Sequence, residues 1–185
     1  MTPETMMGPE AIQRYRELVE LIPDEGLFLE LGSFHGGSLV ALEEVIKRKK
    51  LSFVACDMWD LAPNPAPGIL TEEMWAKKRE GMLKTFWENI IQHGLEDYVY
   101  KIVDRKTQSL TEVFPTDAFD LIFIDAGHTY KAVKADIEEV KPLLTKNGIL
   151  CGHDYCPDFP GVMRAVDEAF GPRPVDVATS IWVVE

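Results

Sequence analysis

Five short stretches of this sequence place residues capable of chemistry after an apolar run. They are Glu30-Leu31-Gly32-Ser33-Phe34-His35-Gly36-Gly37-Ser38, Asp57-Met58-Trp59, Thr107-Gln108-Ser109, Asp125-Ala126-Gly127-His128 and His153-Asp154-Tyr155. Carboxylates and imidazoles held together can bind a cation or a hydroxyl and move its proton, and a glycine-rich turn lets backbone approach a ligand. One acid in such a place could merely cap a helix; five places of one kind imply a shared site.

The first turn narrows the ligand. It departs from the dinucleotide fingerprint G-x-G-x-x-G, because Phe34 stands where a second close glycine would admit a pyrophosphate. Glu30, just before the first glycine, would also repel a diphosphate and suits a ligand bearing positive charge or hydroxyls. Asp57 closes the next apolar run, where an acid can accept hydrogen bonds from a ribose diol. A nucleoside with a cationic attachment fits this pattern better than NAD.

These stretches need elements to position them, and the sequence supplies an alternation. Residues 9–22 have helical spacing, with Ile12, Tyr15, Leu18, Val19 and Ile22 on one face. Strands are expected at 27–31, 51–57, 99–103, 119–125 and 149–153, and helices at 39–50, 71–93, 110–114, 133–144 and 161–170. The 71–93 segment has Gly81 as a candidate break and Gly94 as its stop. The tail, Val175-Asp176-Val177-Ala178 and Ile181-Trp182-Val183-Val184, is expected to form two short strands joined tightly. Strands alternating with helices imply βαβ units, a mainly parallel sheet buried on both faces, and an α/β fold with ligands at the carboxyl ends of the strands. The segment 61–70, with Pro63, Pro65, Pro67 and Gly68, must be a loop. Together with the following helix (61–94) it is the expected lid or insert of a single domain spanning 1–185, whose residues 1–26 add an N-terminal helix.

Composition excludes several partners. The net charge of −12 argues against a nucleic-acid phosphate backbone. The dense basic run Lys47-Arg48-Lys49-Lys50 ends a helical pattern, where it complements the helix dipole. No apolar run reaches the roughly 18–20 residues of a membrane span. Cys56, Cys151 and Cys156 are odd in number, and with no signal-peptide pattern at the start the expected location is cytoplasmic. The Cys151–Cys156 segment lacks the second cluster a four-ligand structural zinc site needs. Small-molecule recognition remains, and a homo-oligomer is compatible with all of this.

The motif residues resemble those of class I S-adenosylmethionine-dependent methyltransferases, in particular a small bacterial branch of sugar and antibiotic O-methyltransferases (methyltransferase domain family 24). The matching stretches are Leu29-Glu30-Leu31-Gly32 with Gly36-Gly37-Ser38, Asp57-Met58-Trp59, Phe119 through Asp125 to Tyr130, Asn147-Gly148 through Gly152-His153-Asp154-Tyr155, Gly161-Val162-Met163-Arg164-Ala165-Val166-Asp167, and Ile181-Trp182-Val183-Val184. The resemblance implies a Rossmann-like three-layer sandwich whose seven-stranded, mainly parallel sheet ends in an antiparallel hairpin. It implies S-adenosylmethionine as cofactor and a small-molecule acceptor, with a hydroxyl as the methylated group.

It also implies roles. Glu30, Gly32, Ser33, Gly36 and Ser38 would line the methionine end of the cofactor, and Asp57 the ribose. Met58 or Trp59 would flank the adenine, with Gln108 and Ser109 near its amino group. Asp125 would lie by the sulfonium and the acceptor. The catalytic candidates are Asp125, His128, His153 and Asp154, although either histidine could equally be a satisfied structural residue. In metal-dependent relatives paired carboxylates bind Mg²⁺, and Asp125 and Asp154 match those positions. His153-Asp154 replaces the usual acid-acid or acid-Asn pair, which counts against the metal. A non-catalytic cofactor-binding relative and an NAD-linked Rossmann oxidoreductase are the alternatives, the latter disfavoured by the 30–34 turn.

Overall fold

The computed structural model describes residues 3, 5–65, 70–105 and 108–184. Its helices are α1 (Pro9–Glu20), α2 (Gly37–Ala41), α3 (Glu43–Lys49), α4 (Glu72–Arg79), α5 (Met82–Gln92), α6 (Leu110–Val113), α7 (Tyr130–Val140) and α8 (Pro160–Phe170). The strands β1 (Leu27–Leu31), β2 (Ser52–Asp57), β3 (Val99–Asp104), β4 (Phe119–Ile124) and β5 (Leu144–Gly152) are parallel, and β6 (Trp182–Val184) pairs antiparallel with β5. The spatial order is β3-β2-β1-β4-β5-β6. Chain direction across the sheet reverses between β1 and β4, the switch point at which open α/β sheets bind ligands.

The strands are apolar on both faces because helices cover both. Phe28, Phe53, Leu121 and Phe123 pack with α1, α2, α3 and α5 on one side. Leu29, Leu31, Val54, Ile122 and Ile124 pack with α7 and α8 on the other. With a side-chain period of two, Glu30 shares the Phe28 face and points toward α1 and α2. This register puts a carboxyl inside an apolar layer.

Three expectations about elements are corrected. The sheet has six strands among the described residues, not seven. Val175-Asp176-Val177-Ala178 is not a strand: Asp176 Oδ1 accepts from the backbone N–H of Ala178 and Thr179, its Oδ2 accepts from the Thr179 hydroxyl, and Val177 is 89% exposed. A short acid that captures the backbone just after it offers the chain a turn in place of a ladder. The 39–50 helix is likewise two, because Leu42, at φ −91° and ψ 3°, ends α2 before α3 begins. Gly81, at φ 66°, does separate α4 from α5, and Gly94 does end α5, with Gly94 N–H bonded to Ile91 O and Leu95 N–H to Ile90 O.

The basic run at 47–50 is matched by acids rather than presented as a patch. Lys47 bonds Glu43 and the His93 carbonyl, Arg48 pairs with Glu20, and Lys49 bonds the Glu20 carbonyl and approaches Asp24. No helix among the described residues is long and apolar enough to cross a membrane.

Candidate functional site

The turn after β1 is built from two devices. Gly32 adopts φ +89°, and a Cβ there would sit 1.9 Å from the Asp125 carbonyl oxygen, so only glycine lets the ends of β1 and β4 meet this closely. The Asp57 carboxylate then ties the turn to β2: Oδ2 accepts from Phe34 N–H at 2.9 Å, and Oδ1 from Met58 N–H at 2.7 Å and Trp59 N–H at 3.2 Å. Burial raises the Asp57 carboxyl against these three donors. A carboxylate offers about four acceptor sites, so Asp57 keeps one for a ligand hydroxyl.

Glu30 lies beneath this turn, 1% exposed. Ser38 Oγ donates to its Oε1 at 2.9 Å, whereas Oε2 is buried with no hydrogen-bond partner. Burial raises its carboxyl to about 8, more than the Ser38 hydrogen bond lowers it. Ser33 is structural in its contacts, donating to the Glu30 carbonyl and accepting from Cys56 N–H. Gly36 caps α2 with φ 76°.

The residues expected beside the adenine lie in different settings. Trp59 is 4% exposed, its Nε1 donates to the Val103 carbonyl, and its ring meets Phe86 edge-on, so it belongs to the core. Met58 is half-buried beside the same turn and remains open to a ligand role. Ser109 Oγ donates to Glu139 Oε1, within a cluster in which Arg105 pairs with both Asp136 and Glu139. Gln108 is exposed, its N–H bonded to the Asp104 carbonyl, and Thr107 lies outside the described residues.

Four residues do come together at the ends of β4 and β5. His128 Nε2 meets Asp154 Oδ2 at 2.8 Å, and His153 Nδ1 meets Asp154 Oδ1 at 3.2 Å and Asp125 Oδ1 at 3.7 Å. Their setting is local backbone: Asp154 adopts φ 63°, and Asp125 and His153 are fixed by N–H bonds to the Leu31 and Ile124 carbonyls. Gly161 seats α8 against the loop, since a Cβ there would lie 2.6 Å from the His128 carbonyl oxygen. Burial opposes charge on His153, but hydrogen bonds and attraction from Asp125 and Asp154 outweigh it and raise the imidazole to about 10. Burial likewise opposes ionisation of Asp154, and the two imidazoles outweigh it, holding the carboxyl well below the usual range. His128 Nδ1 is buried without a partner. A cavity of about 10 Å³, lined in part by Asp125, His128, His153 and Asp154, has room for about one water.

Helix α4 packs against the turn. Phe34 stacks with Trp75 of α4 at 5.9 Å, and His35 is half-buried with Nε2 at 2.9 Å from the Lys78 carbonyl. Trp75 Nε1 and Arg79 both donate to the Ala62 carbonyl, anchoring α4 to the loop before it. Residues 66–69 of the expected lid loop lie outside the described residues. Helical spacing shows which face of an element is apolar but not a bond between remote segments, so neither the His35 contact nor the Arg105 cluster was visible in the sequence.

One sequence-family model, for a methyltransferase domain, matches residues 29–155. No curated protein matches the sequence. Among solved structures, the O-methyltransferase NovP aligns over 98% of this chain and 81% of its own at 16% identity, with a TM-score of 0.75. The O-methyltransferase TomG from Streptomyces achromogenes, involved in tomaymycin synthesis, aligns over 94% of this chain and 73% of its own at 16% identity and TM-score 0.62. The tRNA (m1A58) methyltransferase TrmI from Aquifex aeolicus aligns over 91% and 56% at 16% identity and TM-score 0.58. At such identities the likeness shows the shared fold.

Proposed function

The chain belongs to the methyltransferase domain family and uses S-adenosylmethionine, and from that premise we propose that it methylates a hydroxyl of a small molecule with His128 as general base. When bound, the cofactor supplies a methyl group activated on a sulfonium. The residues present fit it. Glu30 Oε2 is a buried acceptor without a partner, suited to the ammonium of the amino-acid end, and Asp57 retains acceptor capacity for the ribose. Gly32, Gly36 and Ser38 shape the methionine end, and Met58 and Gln108 are the adenine candidates that remain. Trp59 and Ser109 are already engaged within the protein.

The observation that carries the assignment of the base is the pairing of His128 with Asp154. An Nε2–H donated to the carboxylate fixes the imidazole tautomer and leaves Nδ1, which has no partner, with the lone pair. His153 is a poor base for the opposite reason. Held as a cation between two carboxylates, it has no lone pair at neutral pH; its role is to keep Asp125 and Asp154 in place and balance their charge.

The donor set fits Mg²⁺ poorly. Asp125, His128 and Asp154 bring ligand atoms within 4.8 Å of one another, but Mg²⁺ prefers an octahedron of oxygens, and both carboxylate-bearing sides here already face imidazoles. No step is therefore assigned to a metal. A screen of sugars, phenols and hydroxy acids, reading S-adenosylhomocysteine release, tests the proposal: turnover of a hydroxyl acceptor that persists in EDTA is expected. Turnover confined to amine, carbon or RNA acceptors would contradict it.

A further inference from the structure

The N-terminal helix lies upstream of the family match at 29–155. Tyr15 of α1 is fully buried, with its ring stacked on Phe123 at 3.9 Å. Phe123 is the β4 residue paired in register with Glu30. Tyr15 thus arrives on the face of the sheet toward which Glu30 points, and the two groups interact electrostatically.

Each holds an unused polar atom. Tyr15 Oη and Glu30 Oε2 are both buried and neither makes a well-formed hydrogen bond, while Glu30 Oε1 is already served by Ser38. Buried polar atoms are nearly always paired, and these two face each other closely enough for the hydroxyl to act on the carboxyl. For packing alone, phenylalanine would serve better here, since it would keep the ring stack without burying an unpaired hydroxyl.

We propose that Tyr15 is a positioning residue for cofactor binding: its hydroxyl donates to the Glu30 carboxylate and holds it toward the ammonium group of the amino-acid arm. The inference rests on the reading of Glu30 as the acceptor for that arm. A carboxylate has acceptor sites for Ser38, Tyr15 and an ammonium together. Burial beside Glu30 keeps the Tyr15 phenol neutral, so it remains a donor.

The test is calorimetric binding of two ligands to the full chain and to Tyr15→Phe, Glu30→Gln and the double variant. S-Adenosylhomocysteine carries the amino-acid arm; 5′-methylthioadenosine lacks it. Tyr15→Phe should weaken the first about tenfold and the second less than about twofold, with thermal stability unchanged or raised. The double variant should bind S-adenosylhomocysteine no more weakly than Glu30→Gln alone, because the hydroxyl acts only through the carboxylate. Unchanged affinity in Tyr15→Phe, or equal loss for both ligands, overturns the role of Tyr15 while leaving Glu30 in place. If Glu30→Gln binds S-adenosylhomocysteine like the parent protein, the reading of Glu30 falls, and the inference with it.

Discussion

Glu30 and Asp154 are both buried carboxylates at strand ends, 1% and 9% exposed, yet the protein holds them in opposite charge states. Glu30 lies in an apolar layer with only neutral hydroxyls beside it, Ser38 first among them, so desolvation prevails and its carboxyl rises to about 8. Asp154 has an imidazole on each oxygen, and these partners override the same desolvation. Partners, not depth, decide the charge. Glu30 thereby keeps one oxygen without a well-formed hydrogen bond, whereas both oxygens of Asp154 face imidazoles.

Disturbing the carboxylate between the imidazoles should have the largest effect. Asp154→Asn removes the charge opposite His153 and turns one of the two oxygens that face the imidazoles into an amide donor. It should lower kcat on the order of a hundredfold or more and destabilise the fold by about 3 kcal/mol, as rate measurements and urea unfolding would show. At the other carboxyl, Glu30→Gln should weaken S-adenosylhomocysteine by roughly thirtyfold in calorimetry while strengthening the free protein at alkaline pH by about 1 kcal/mol. The sign follows from the raised carboxyl. The folded state binds this proton more tightly than the unfolded chain, so the parent loses stability as pH climbs from the ordinary glutamate value of 4.5 toward about 8. Glutamine has no proton to lose there.

His153 should show the complementary pH window. Its raised imidazole stabilises the fold fully below the unfolded value of 6.5, and that contribution is lost as pH climbs toward about 10. Thermal melts of His153→Gln should therefore decline less than the parent between those limits. Smallest of all should be the effect of EDTA, with turnover unchanged within about twofold; a loss restored by Mg²⁺ would mean that the imidazoles yield to a metal after all.

The layers of the fold were legible because strand runs, glycine stops and helical spacing are local properties. The ends of β1, β2, β4 and β5 could likewise be read from acids that close apolar runs. What escaped depended on direction or on remote partners. Trp59 lies two residues after Asp57, but with a φ of 49° its indole is turned into the core, bonded to the Val103 carbonyl. Tyr15 sits correctly on the apolar face of α1, although spacing cannot show that its ring reaches Phe123 and its hydroxyl faces Glu30. The expected strand at 175–178 failed for a different reason: its alternating valines flank Asp176, whose carboxylate takes the backbone donors of the turn.

The most direct measurement pairs steady-state methyl transfer with S-adenosylhomocysteine affinity in His128→Ala. If His128 is the base oriented by Asp154, kcat should fall on the order of a hundred- to ten-thousandfold while affinity changes by less than about twofold. A variant that keeps parental kcat, or that loses cofactor affinity in step with rate, would contradict the assignment.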